Sequence, residues 1–118
     1  MAATLPKSER LCGQMAVAKV FEQGKSVHSG CIRCKYILRP DENPSRLVVS
    51  VPKRHFKRAV KRNLLKRRMR EAYRRQKDLL GPSVDILLIY TSIEVLPYET
   101  IYADMTAVLT AIRHAPGA

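Results

Sequence analysis

Tryptophan is absent from this 118-residue sequence, acidic residues number only 10 against 22 lysines and arginines, and there are three cysteines. The shortage of acids leaves a formal net charge of +12. A surplus of that sign on so small a chain draws it to polyanions, meaning RNA, DNA or an acidic membrane face. Three cysteines cannot all pair, and a reducing compartment keeps Cys12, Cys31 and Cys34 as thiols, so no disulfide framework is expected. Long apolar runs are also missing. Ile86 to Tyr90 and Leu47 to Val49 fall far short of the roughly 20 residues needed to cross a bilayer. Met1 to Arg10 carries charges where a signal peptide needs its apolar stretch. A cytoplasmic protein with no membrane partner is expected.

Hydrophobic residues nevertheless make up 46% of the chain, an ordinary share for a globular protein and too high for a disordered basic tail. The length suits one domain, residues 1–118, with a modest single core. Leu11, Met15, Ala18 and Phe21 recur at helical spacing, with Ser8 available as N-cap and Gly24 just past the end, which predicts a first helix over residues 7–22. Gln23 to Gly30 reads as a turn. Cys31 to Leu38 reads as a strand, and Arg39 to Ser45, with Pro40, Asp41, Asn43 and Pro44, as a turn into a second strand, Leu47 to Val51, the two forming an antiparallel hairpin.

A long basic segment, Pro52 to Leu80, follows and is stopped by Gly81-Pro82. Val84 to Tyr90 is predicted as a buried strand. Pro97 opens a last helix in which Ile101, Met105, Val108, Leu109 and Ile112 form one apolar face. The order is α-β-β-α-β-α, an α/β (α+β) sandwich of helices packed on one small sheet.

Between Lys53 and Lys77, 25 residues hold 13 lysines or arginines and a single acid, Glu71. At 100° per residue, Ala59, Leu65, Met69, Ala72 and Tyr73 fall on one broad side, while Asn63, Arg67, Arg70 and Arg74 line the other. A merely solvated face normally mixes its charges. Here like charges repel at i, i+4 and cost stability unless a polyanion neutralises them. Guanidinium and ammonium contacts to phosphate position a complex without reading sequence. The set Arg62, Asn63, Lys66, Arg67 and Arg70 adds an amide able to bridge a phosphate and a ribose hydroxyl, which suits folded RNA. A DNA-reading basic zipper would need apolar heptads after the basic stretch, and Gly81-Pro82 ends the helix instead.

The run Ser50-Val51-Pro52-Lys53-Arg54, followed by Ala59-Val60-Lys61-Arg62-Asn63-Leu64-Leu65-Lys66-Arg67-Arg68-Met69-Arg70-Glu71-Ala72-Tyr73-Arg74, resembles the signature of the bacterial ribonuclease P protein family. The opening Leu5-Pro6-Lys7-Ser8-Glu9-Arg10-Leu11, the segment Val20-Phe21-Glu22-Gln23-Gly24-Lys25-Ser26, Asp85-Ile86 and Pro97-Tyr98 extend the likeness over nearly the whole chain. The resemblance implies an accessory subunit of an RNA enzyme. The RNA performs the Mg2+-dependent hydrolysis that removes the 5′ leader of precursor tRNA, and the protein helps hold the substrate. It also implies a β-α-β crossover of unusual left-handed sense.

Carried over by position, the resemblance places Lys53, Arg54, Arg62, Asn63, Lys66, Arg67 and Arg70 on RNA-contacting positions, and Arg74 continues their line. It places a cleft for the single-stranded leader between the first helix and the sheet, at Val17, Phe21, Lys35 and Tyr36. Bases stacking on Phe21 and Tyr36 would tolerate any leader sequence. Phe21 also closes an apolar helix face, so a core role stands beside the stacking one. The chain departs from the family pattern in three places: Leu64 replaces an arginine, His55 to Arg58 is one residue longer than the usual glycine-containing turn, and Val17 replaces a common aromatic.

Rival chemistries find less support. Cys31-Ile32-Arg33-Cys34 has a zinc-like spacing, but residues three apart on a strand point to opposite faces, and His28, His55 and His114 lack ligand spacing. The acids are dispersed, with Asp41-Glu42 the one adjacent pair, so the polypeptide alone is not expected to cut RNA or to bind a cofactor. Two hypotheses remain: a ribonuclease P protein subunit partnered with the catalytic RNA and precursor tRNA, and a basic RNA-binding or ribosome-associated protein without processing activity.

Overall fold

The computed structural model describes residues 14–39, 45–80 and 84–114. Its elements are α1 (Gln14–Gln23), β1 (Lys25–Ser29), β2 (Ile32–Leu38), β3 (Arg46–Ser50), α2 (Ala59–Gln76), β4 (Val84–Tyr90) and α3 (Tyr98–Arg113), with a 3-10 turn, Lys77–Leu79, after α2. Four strands form one mixed sheet in the order β1-β2-β4-β3.

β4 is apolar along almost its whole length because both of its faces are covered and both of its edges are paired. It runs antiparallel to β2, with Ile32 opposite Tyr90 and Tyr36 opposite Ile86, and parallel to β3, with Leu47 opposite Ile86 and Val49 opposite Leu88. Ile86, Leu88 and Tyr90 face one way, together with Ile32, Cys34, Tyr36, Leu47 and Val49, and make the main core with α2 and α3. Leu87 and Ile89 face the other way with Ile37 and Val48, and there meet Val20 of α1. The result is three layers, α1 on one face and the α2–α3 pair on the other.

The expected hairpin of Cys31 to Leu38 with Leu47 to Val51 does not form. The two strands flank β4 on opposite sides, since the strand apolar on both faces takes the centre of the sheet. The segment between β3 and β4 is long enough to carry α2 as a parallel crossover, and this is the unit in which the resemblance implies left-handed sense.

The segment expected as a turn, Gln23 to Gly30, instead contains β1, giving α-β-β-β-α-β-α. β1 is an edge strand whose Lys25, Ser26 and His28 are exposed, so it carries almost no apolar alternation to announce it. It pairs with β2 through the two-residue turn Gly30-Cys31, where Gly30 adopts φ +53° and the Asp104 carboxylate sits against its Cα. That carboxylate accepts the Cys31 N–H at 2.9 Å, fastening the hairpin to α3.

α1 also differs from expectation. Ser8 and Leu11 lie outside the described residues. Met15 is 88% exposed and Phe21 52%, while Val20 is buried, with Ala16 and Val17 packed beside it. The helix turns its small residues to the sheet so that it can lie close. At its end Gly24 abuts β2, where a Cβ would run into the Val20 carbonyl and the Tyr36 backbone. α3 follows expectation: Ile101, Met105, Val108, Leu109 and Ile112 are all buried.

A candidate nucleic-acid interface

α2 starts at Ala59 because Arg58 is still extended (φ −81°, ψ 126°). Leu65, Met69, Ala72, Tyr73 and Gln76 are buried, which anchors one side of the helix; Ala59, expected on that side, is exposed. Gln76 fixes the C-terminal end by donating to the Tyr102 carbonyl at 3.1 Å and accepting from the Thr106 hydroxyl. The helix gives way to the 3-10 turn at Lys77, before Gly81-Pro82, which lies outside the described residues.

Opposite the buried side, Asn63, Arg67, Arg70 and Arg74 are all exposed, as expected, and Lys53 and Arg54 stand exposed on the loop before the helix. Among the described residues, none accepts a hydrogen bond or ion pair from Lys53, Lys66, Arg67 or Arg70. Other members of the expected set are already engaged. Arg74 is held by Glu71 in a bidentate pair at 2.7 and 2.9 Å, and Arg75 joins the same carboxylate at 2.9 Å. Those contacts, Arg74 first, hold the Glu71 carboxyl down to about 2.

Arg62 turns back on the loop, donating from Nη1 to the Phe56 carbonyl at 2.6 Å and the Lys57 carbonyl at 2.9 Å. Arg54 donates to His55 Nε2 at 3.0 Å. Arg68, which stands next to the Leu64 departure, donates to the Leu96 carbonyl at 2.7 Å and ties α2 to the loop after β4. The cationic line is therefore shorter than expected: Lys53, Asn63, Arg67 and Arg70 are exposed and Lys66 partly so, with no partner among the described residues, and Arg62, Arg68 and Arg74 hold neighbours in place.

On the opposite face of the sheet, α1 and strands β3 and β4 enclose an apolar cleft of about 710 Å³ lined by Val17, Phe21, Val48, Ser50, Leu87 and Ile89 among others. Val17 and Phe21 fall where the resemblance puts them. Lys35 points to the same side of β2, its ammonium 2.9 Å from the Phe21 carbonyl and 4.6 Å from the centre of the ring. Tyr36 does not belong to this cleft. Alternation along β2 sends it into the main core, 4% exposed, and burial raises its phenol above the usual range. Val48, Leu87 and Ile89 escaped the sequence reading. The signal available was β4 itself, apolar at odd and even positions alike, which requires a second covered face.

Cys31 and Cys34 are both buried in the main core. Cys31 lies in the hairpin turn rather than in the strand as expected. Burial and the Asp104 carboxylate push its thiol up to about 12, and burial alone pushes the Cys34 thiol up. Among the described residues no three His, Cys, Asp or Glu side chains are grouped to hold a metal ion, and no helix is long and apolar enough to cross a membrane.

Comparison with known proteins agrees with this geometry. A protein component of ribonuclease P from Porphyromonas gingivalis is 37% identical over 111 residues, covering 92% of this chain and 81% of its own length. One from Lactobacillus helveticus is 32% identical, covering 92% and 84%. The ribonuclease P protein structure from Thermotoga maritima superposes with a TM-score of 0.78 at 26% identity, covering 88% of this chain and 97% of that one. The family model for ribonuclease P matches residues 5–113, and the chain belongs to the ribonuclease P protein family.

Proposed function

We propose that, as the protein component of ribonuclease P, this chain binds two RNAs on its two faces. Lys53, Asn63, Lys66, Arg67 and Arg70 meet the phosphates of the catalytic RNA. The cleft between α1 and the sheet takes the single-stranded 5′ leader of precursor tRNA. The observation that carries this reading is the pairing of an outward cationic line on α2 with an apolar cleft across the sheet. Phosphate contacts lower the repulsion between two polyanions, and the cleft offers Phe21 and aliphatic walls to bases of any identity.

In this reading the RNA performs the hydrolysis, with Mg2+ held by the RNA and the substrate. The protein supplies binding and orientation, and acts in the cytoplasm. Reconstitution tests it: added to the cognate catalytic RNA at low Mg2+, the chain restores removal of the leader from precursor tRNA. Cleavage no faster than that of the RNA alone overturns the proposal.

A further inference from the structure

Beside the N-terminal end of α2 lies a notch of about 480 Å³ that neither the cationic line nor the leader cleft uses. One wall is the loop before the helix with its first turns, contributing Lys57, Arg58 and Lys61; the other is the loop after β4, contributing Ile93 and Val95. At 100° per residue, Lys61 stands about 160° around the helix from Asn63, so the notch opens on a different flank from Arg67 and Arg70. Its volume lies within the ~300–1,000 Å³ usual for small-ligand pockets.

Both walls are held in place by the arginines that the cationic line lacks. Arg62 grips the carbonyls of Phe56 and Lys57 beneath one wall, and Arg68 grips the Leu96 carbonyl beneath the other. Tyr90 braces the second wall again, donating to the Glu94 carbonyl at 2.6 Å and accepting from the Leu96 N–H at 3.1 Å, while its ring packs against Phe56 at 5.9 Å. Ile93 is nevertheless 70% exposed and Val95 37%, beside three exposed cations. Glu94 also borders the notch, which leaves its rim with an excess of positive charge. A rigid recess with cations on one side and bare aliphatic side chains on the other suits a ligand that is anionic at one end and flat and apolar at the other.

We propose that this notch is a second RNA site. It takes one unstacked nucleotide of a single-stranded segment, with the phosphate among Lys57, Arg58 and Lys61 and the base against Ile93 and Val95. The inference rests on the RNA-binding reading above and deepens it. A single-stranded RNA is favoured over an acidic peptide because Lys57, Arg58 and Lys61 face Ile93 and Val95 across one recess, so a phosphate and the flat base it carries are met together, whereas an acidic side chain brings no apolar plane for the second wall.

Methyl and amide NMR signals of the full chain test this, with a ten-residue oligouridylate as probe and an RNA duplex, inorganic phosphate and an oligoglutamate peptide as comparators. The Ile93 and Val95 methyls shift saturably with oligouridylate and stay in place with duplex or phosphate. Ile93→Ser and Lys61→Ala each weaken oligouridylate binding, by about fourfold or more for the isoleucine, and only Lys61→Ala flattens the salt dependence. If the Arg67 and Arg70 amides respond to RNA while the two methyls do not, the notch is refuted and the broader reading stands. If no signal responds to any RNA, the broader reading falls as well. Equal methyl shifts with oligoglutamate assign the notch to an acidic peptide and overturn the nucleotide.

Discussion

Lys35 holds Phe21 at two points: its ammonium donates to the Phe21 carbonyl at 2.9 Å and lies 4.6 Å from the centre of the Phe21 ring. The contact joins the end of α1 to β2 and keeps a ring that is 52% exposed at the border of the apolar cleft. Exposure to that degree weighs against a core role for Phe21, because a core ring would be covered.

Phe21→Ala accordingly changes folding stability by no more than about 1 kcal/mol, the worth of an exposed cation–π contact, while weakening precursor tRNA binding about fivefold or more. Mature tRNA, which has no leader, is affected far less. Thermal melts and paired binding titrations on the two RNAs check this, and an equal loss on both returns Phe21 to a structural role.

Arg67 and Arg70 have no partner among the described residues, so each is free to neutralise a phosphate. Arg67→Ala or Arg70→Ala reduces the slope of log affinity against log salt by about one. Arg74→Ala changes it less, since its guanidinium is shared with Glu71. A slope that is the same in wild type and in Arg70→Ala counts against the cationic line.

Glu71 links stability to pH. Its carboxyl is held down to about 2 in the fold, chiefly by Arg74, and returns to the ordinary carboxylate range when the chain unfolds. The unfolded state therefore binds more protons between those values, and the pair's contribution is fully present above about pH 5. It is lost as the pH falls through the ordinary range toward 2. Melting temperatures of wild type and Glu71→Gln measured from pH 7 to pH 3 should converge in acid. A constant gap would mean that the carboxylate is not what is lost.

Arg62 serves the fold as much as any ligand, because its Nη1 satisfies two loop carbonyls. Arg62→Ala lowers stability by about 1–3 kcal/mol, whereas Arg70→Ala stays within about 0.5 kcal/mol. Urea melts of the two variants without RNA distinguish them, and equal midpoints would show that the Arg62 contacts are not structural.

Tyr90→Phe removes a hydroxyl that bonds to Glu94 and Leu96 inside an otherwise apolar core, and is expected to cost about 1–2 kcal/mol. Amide hydrogen exchange localises the loss to residues 93–96. Unchanged protection there would show that the loop is held without it.

The amphipathic spacing of α3, the apolar run of β4 and the density of cations between Lys53 and Lys77 were legible without coordinates. Each is a local pattern whose period or composition is itself the physical cause of burial or exposure. Three other features were not. β1 is a polar edge strand whose only signature is its pairing with β2. Met15 and Phe21 share helical spacing with Leu11, yet the sheet receives Ala16, Val17 and Val20 instead. Tyr36 neighbours Lys35 in sequence and faces away from it across the sheet.

The sequence by itself determined that the chain folds around a small core, which stretch of it is cationic, and the family to which that stretch points. Burial follows from side-chain chemistry repeated at a backbone period, and charge from composition. Only the tertiary structure decided which strands are neighbours and which arginines remain available. A guanidinium looks the same in sequence whether it ends at solvent or at a carbonyl, and what separates Arg70 from Arg62, Arg68 and Arg74 is the group the fold brings within 3 Å of each.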